Sequence, residues 1–199
     1  MPGQPVPAGD ERQTLINFVA FQQDAFAAVA YGLTDEQARS TPSVSALSVG
    51  GLIKHVTAVQ ESWVGRVVAA PDFPPPDPRP MAELMAEHED QLTMRDDETL
   101  DGLLAALREE NAKTLKVLAE ADLDALVPVP HDVPWFPADV DHWSVRWVAM
   151  HIVEELSRHA GHADIIRETI DRATMYELLA AAEEWPETPW LKRWRPATV

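Results

Sequence analysis

The chain reads as an all-α protein, a four-helix bundle with additions, and three observations predict it. Apolar residues recur at helical spacing over four long stretches. No segment shows the apolar–polar alternation of a half-buried strand. The joints between the stretches carry proline, glycine and helix-capping residues. With 199 residues, 46% of them hydrophobic and 25% charged, the chain suits one globular domain with a substantial core. The expected division is a flexible lead over 1–9 and a single helical domain over 10–199. Its core covers roughly 10–172, with a C-terminal extension over 173–199.

Asp10 caps a first helix from about Glu11 to Tyr31, whose apolar face is Leu15, Phe18, Val19, Phe26 and Val29; Gly32 ends it. Thr34-Asp35-Glu36-Gln37 resembles a short capped turn, and Thr41-Pro42-Ser43 marks a loop. A second long helix spans about Ser48 to Ala69 on Leu52, Ile53, Val56, Val59, Trp63 and Val67, with His55 beside that stripe. Pro71 to Pro80 is too rich in proline for helix or central strand and makes a stiff surface connection. Met81 to Met94 predicts an irregular or short helical excursion, with His88 solvated among acidic residues. A third long helix covers about Glu98 to Ala121 on a leucine face. Residues 127–142 form a long connection with four prolines, His131 and His142, and such loops often serve as lids. Ser144 caps a fourth long helix reaching about Ile170. Thr174 caps a last helix to Glu184, and the tail holds Trp185, Trp190 and Trp194.

Composition also excludes functions. There is no cysteine, hence no disulfide, no thiolate metal site and no cysteine nucleophile. A net charge of −17 opposes binding to nucleic acid or to anionic membrane surfaces and favours solubility. The apolar runs are too short to cross a bilayer, and the N-terminus lacks a signal pattern, so the expected location is cytoplasmic.

The chemistry concentrates on the fourth helix. Four of the seven histidines lie between residues 142 and 162. His151, Glu155 and His159 follow at four-residue steps and so share a face, beside Val148, Ile152, Ala163 and Ile166. That face turns inward, where a glutamate and two histidines are costly unless paired; a divalent cation is an economical partner. Glu155-x-x-x-His159 alone is a weak signal, because such pairs recur on solvated faces and an interior histidine can be purely structural. Adding His55 from the second helix supplies three protein ligands and leaves an open position, the arrangement of a catalytic zinc. No His-Glu-x-x-His motif is present.

The run from Glu154 to Glu168, reading EELSRHAGHADIIRE, resembles the signature helix of the DinB-like superfamily. More narrowly it is similar to the actinobacterial branch known as DUF664 and linked to mycothiol S-transferases. Further pieces match in order: Glu11 to Leu15, Gly32 to Ala38, Leu52 to Val56 with Trp63, and Ser144 to Val148. The resemblance covers most of residues 10–172 and fades over 71–94 and after about 175.

The resemblance implies an up-down-down-up bundle with long connecting loops and an extra C-terminal helix. It also implies a metal held by His55, Glu155 and His159. The superfamily often has histidine at the middle ligand position, and glutamate there resembles the mycothiol-dependent members. Zinc is the expected ion, while an oxygen-containing site also admits nickel, manganese or iron. The implied activity is S-transfer, or thiol-assisted isomerisation, from a low-molecular-weight thiol such as mycothiol to an electrophilic small molecule. The remaining expectations carry alternatives. His151 is a hydrogen-bond partner of the ligands or, with Glu155, an alternative ligand pair. His162 orients a ligand or is a polar core residue. Arg158 and Arg167 hold an anionic substrate group or make helix-surface ion pairs. Trp63, Trp143 and Trp147 are core or pocket wall. A homodimer is expected, with the tryptophan-bearing tail at its interface. Two other readings remain: a metal-dependent hydrolase activating water, and a non-catalytic bundle that binds metal or stands empty.

Overall fold

Each long helix begins where a side chain caps it. In the computed structural model, which describes residues 3–131 and 136–196, Asp10 accepts from the Gln13 amide to start α1 (Glu11–Ala30). Ser48 accepts from Gly51 to start α3 (Val49–Ala69), Thr99 from Gly102 to start α5 (Leu100–Glu120), and Ser144 from Trp147 to start α6 (Val145–Asp171). Two short helices carry reciprocal capping boxes: α2 (Asp35–Arg39) through Thr34 and Gln37, and α7 (Met175–Ala182) through Thr174 and Glu177. Gly32, at φ 72°, takes the left-handed turn that follows α1. The third long helix starts two residues later than its periodicity predicts. Glu98 Oε2 accepts from the Arg95 amide at 2.6 Å, and Glu98 also receives Lys54 at 3.0 Å, so residues 95–98 are held as a turn.

Side-chain ties fix the helix directions. Arg12, at the start of α1, donates to the carbonyls of Leu118 and Ala121 at the end of α5, at 2.8 and 2.6 Å, so these helices are antiparallel. Arg146, at the start of α6, meets Glu11 at 2.6 Å, and Arg167, near its end, meets Val29 O and Tyr31 O at 2.7 and 2.8 Å. Helices α1 and α6 are therefore parallel. Lys54 to Glu98 joins the N-terminal part of α3 to the turn just before α5, and Trp63, late in α3, packs on Trp147, early in α6. The order is thus up, down, down, up for α1, α3, α5 and α6, with α1 and α3 each packed against both α5 and α6. Val19, Phe26, Leu52, Ile53, Leu107, Leu118, Ile152 and Leu156 fill the space between them.

Several features differ from the sequence expectation. Leu126–Pro128 and His142–Ser144 pair as a two-stranded antiparallel sheet, β1 and β2, with Val127 opposite Trp143. Strands of three residues are too short to show alternation. Arg167 makes no surface ion pair: it is fully buried, with Asp171 at 2.9 Å, the carbonyls of Val29 and Tyr31 at the end of α1, and its guanidinium 4.8 Å over the Trp194 ring. Helix α4 (Met81–Asp90) buries none of its residues. Residues 91–94 return across the first turn of α3, and a Cβ at Gly51 would strike the Leu92 carbonyl. Only glycine permits that approach, which delivers the end of α4 to the site described below. Of the long connection over 127–142, residues 132–135 lie outside the described residues.

Candidate functional site

Trp147, His151, Glu155 and His159 follow one another at four-residue steps as one inclined row along α6, and Trp143, four residues earlier in β2, continues it. Its first three rings stack: Trp143 on Trp147 at 5.2 Å and 11°, and Trp147 on His151 at 5.0 Å and 16°. The row ends in the predicted cluster. His55, on the facing side of α3, brings its ring 4.7 Å from that of His159. One ligand atom each from His55, Glu155 and His159 lies within 4.8 Å of the other two.

The geometry suits a cation better than it suits the side chains alone. His159 Nε2 stands 3.5 Å from Glu155 Oε2, long for a hydrogen bond but close to the roughly 3.3 Å between two ligands on a tetrahedral zinc. Two buried imidazole nitrogens, His55 Nδ1 and His159 Nδ1, have no hydrogen-bond partner. A buried nitrogen without a partner carries a desolvation cost of about 1–3 kcal/mol. Two other described atoms share this condition, Glu110 Oε1 and Thr114 Oγ1 on α5, and neither residue lines the cavity. Burial, and then the neighbouring His159, lower the affinity of His55 for its proton. The His159 imidazole, with His151 and His55 adding to it, holds the Glu155 carboxyl below the usual carboxylate range despite its burial. Neutral imidazole beside ionised carboxylate is the protonation state in which these groups bind a divalent cation. Two imidazoles and one carboxylate therefore fit such an ion and leave a position for substrate.

That position faces a cavity of about 910 Å³, lined by both His55 and Glu155. Its aromatic wall is Trp63, Phe136, Trp143 and Trp147, which makes the tryptophans pocket wall. His151 lies in the wall and serves both flanking carboxylates, with Nε2 3.5 Å from Glu155 Oε1 and Nδ1 3.2 Å from Glu154 Oε2. The alternative group His151, Glu154 and Glu155 also clusters, but its middle member is exposed. Arg158 is 70% exposed and paired with Glu154, the helix-surface reading. His162 is exposed, so the polar-core alternative falls; its ring lies 5.6 Å from that of His159. His88 is exposed as expected yet lines the cavity with Gln91, and the 127–142 connection supplies Phe136, Val140 and His142.

Ser62 and Arg66 also line the cavity and were missed from sequence. They follow His55 by seven and eleven residues, on the same face of α3, so helical spacing from His55 contained the signal.

A family model described as MST, Mycothiol-S-transferase, matches residues 14–172. No curated protein matches the chain. Among solved structures, one described as the conserved protein of locus from Enterococcus faecalis aligns with a TM-score of 0.55 at 14% identity. It covers 82% of this chain and 98% of that one, a likeness of fold. The helix order, the signature run on α6 and the matched span agree: the chain belongs to the mycothiol-S-transferase family.

Proposed function

We propose that the protein is a metal-dependent S-transferase, joining a low-molecular-weight thiol, mycothiol by family, to an electrophilic small molecule. The observation that carries this reading is the cluster of His55, Glu155 and His159, one ligand atom of each within 4.8 Å of the other two, with His55 and Glu155 lining an aromatic-walled cavity. A divalent cation held there, zinc first among the candidates, supplies the charge that favours a thiolate over a thiol. The chain supplies the rest. His55 and His159 offer ring nitrogens, Glu155 offers charge, and His151 orients Glu155. The tryptophan wall excludes water from one side of the substrate. In the transfer the thiol proton leaves to solvent, a carbon–sulfur bond forms, and the leaving group departs with its electron pair. With no cysteine in the chain, the sulfur has to come from a small molecule.

The test is turnover of a fluorogenic haloalkyl electrophile by zinc-loaded protein, with mycothiol, with glutathione and with no thiol. Thioether formed with mycothiol by wild type, and lost in His159→Ala, supports the reading. Hydrolysis of ester or amide substrates without thiol would replace it with a water-activating hydrolase.

A further inference from the structure

Four of the seven histidines line the cavity, and three of them are accounted for. His55 belongs to the proposed metal ligands. His151 has a carboxylate at each ring nitrogen, Glu154 Oε2 at 3.2 Å and Glu155 Oε1 at 3.5 Å. His142 lies in β2, with the stacked rings of Trp143, Trp147 and His151 between it and Glu155. His88 is the fourth. It is exposed, and among the described residues no hydrogen bond or ion pair holds either of its ring nitrogens.

The helix that carries His88 is placed by ties at one end. Helix α4 buries none of its residues, so no core sets its position. Lys54 Nζ reaches Asp90 Oδ2 at 2.6 Å and the Thr93 carbonyl at 3.2 Å, and Arg95 holds the same Asp90 oxygen at 2.9 Å. Leu92 and Met94 lie so close to Gly51 and Gly50 that a Cβ at either glycine would strike them. Lys54 precedes His55 by one residue and Asp90 follows His88 by two, so one ion pair sets the two histidines in register. His88 and Gln91, three residues on, thereby enter the cavity lining beside His55 and Glu155. After burial and His159, His88 is a further neighbour that lowers the affinity of His55 for its proton.

We propose that His88 is a catalytic base of this site: it accepts the proton of the thiol that binds at the open position and hands it to the water outside. The proposal rests on the S-transferase reading for its substrate. The S–H bond breaks, its electron pair stays on sulfur, and the proton bonds to a ring nitrogen of His88. The thiolate is left for the electrophile, and the imidazolium returns the proton to solvent. Imidazole suits the task because it takes up and releases protons near neutral pH. The charged and titratable groups around His88 do not replace it. His55 and Glu155 are proposed ligands, Lys54 and Asp90 hold each other, and Glu87 is taken by Arg79 at 2.6 Å. Glu89, the other neighbour on α4, is absent from the cavity lining.

Thiolate formation can be followed without turnover. The full chain is loaded with cobalt and mixed with 2-mercaptoethanol in a stopped-flow spectrometer, where the thiolate–cobalt absorption reports loss of the thiol proton. At pH about 7, wild type is expected to form the thiolate at least about tenfold faster than His88→Ala, the lower part of what a positioned base supplies. Imidazole added to the buffer restores the rate of His88→Ala and changes wild type little. Metal affinity, by competition against a chelating dye, and the thermal midpoint both stay at the wild-type values, because α4 buries none of its residues. The proposal is overturned by equal rates, by a loss that imidazole does not restore, by weakened metal binding in His88→Ala, or by no thiolate absorption in wild type. Thiolate formed through His88 with no transfer to any electrophile would remove the S-transferase reading and leave the base standing. Transfer by wild type and His88→Ala at the same rate would do the reverse.

Discussion

Helix α3 carries two polar groups into the bundle five residues apart, and they meet opposite fates. Gln60 is fully buried and satisfied: it accepts from Gln23 at 2.7 Å and donates to Asn111 Oδ1 at 3.0 Å and to Val56 O at 3.2 Å. It thereby ties α1, α3 and α5 together through closed hydrogen bonds. His55 reaches the facing helix and finds another histidine and a shared carboxylate, with Nδ1 left without a partner. Both clusters are polar and both interrupt an apolar interior. The difference is completeness. A satisfied buried network specifies the fold, whereas an incomplete one costs stability unless a ligand completes it. That contrast, rather than the presence of histidine, is what marks the second cluster as a site.

Substitutions should separate the two regions. The largest effect is expected for His159→Ala or His55→Ala. Metal affinity should fall by more than a hundredfold, beyond the range for an outer partner, while the metal-free protein melts within a few degrees of wild type. Gln60→Leu should show the reverse, losing about 1–3 kcal/mol in urea unfolding by removing the acceptor of Gln23 Nε2 and the donor to Asn111 Oδ1, with metal content unchanged. Comparable destabilisation in all three variants would dissolve the contrast. His151→Phe keeps a ring in the stack but removes the contact to Glu155, so metal affinity should drop by about 10–100-fold by competition against a chelating dye.

Acid sharpens the comparison further. His55 binds its proton less readily in the folded chain than its ordinary value of 6.5 implies, and Glu155 less readily than 4.5. In both cases the unfolded chain takes up more protons as pH falls, so both contributions to stability diminish on acidification. Melting of metal-free protein from about pH 8 to about pH 4 should show a midpoint falling below pH 6.5, with Glu155 adding to the loss below 4.5. A midpoint flat across that range would contradict the shifts. The smallest effect belongs to His162→Ala. On an exposed position it should change stability by less than about 0.5 kcal/mol.

The legible parts of the molecule were those encoded along one helix. Asp10, Ser48 and Ser144 announce helix starts because capping is a local hydrogen bond within three residues. The row through His151, Glu155 and His159 is visible because helical spacing alone makes neighbours of them. His55 is different: nothing local ties it to α6, and the family resemblance singled it out. What stayed hidden was what other segments supply. Arg167 sits near the end of a long helix like a surface residue, and the carbonyls of Val29 and Tyr31, with the Trp194 ring from the tail, explain its burial. Gln23 and Gln60 look like exposed glutamines until two helices meet. The cavity wall from Phe136 to His142 comes from a proline-bearing loop without periodicity, so sequence pattern could not aim it.

The most direct test of the account is the metal content of purified, untagged protein by elemental mass spectrometry, beside His55→Ala, His159→Ala and Gln60→Leu. Near-stoichiometric divalent metal in wild type and Gln60→Leu, with none in either histidine variant, is the predicted result. Absence of metal from wild type even after reconstitution with zinc or nickel, or equal retention in all four proteins, would contradict it.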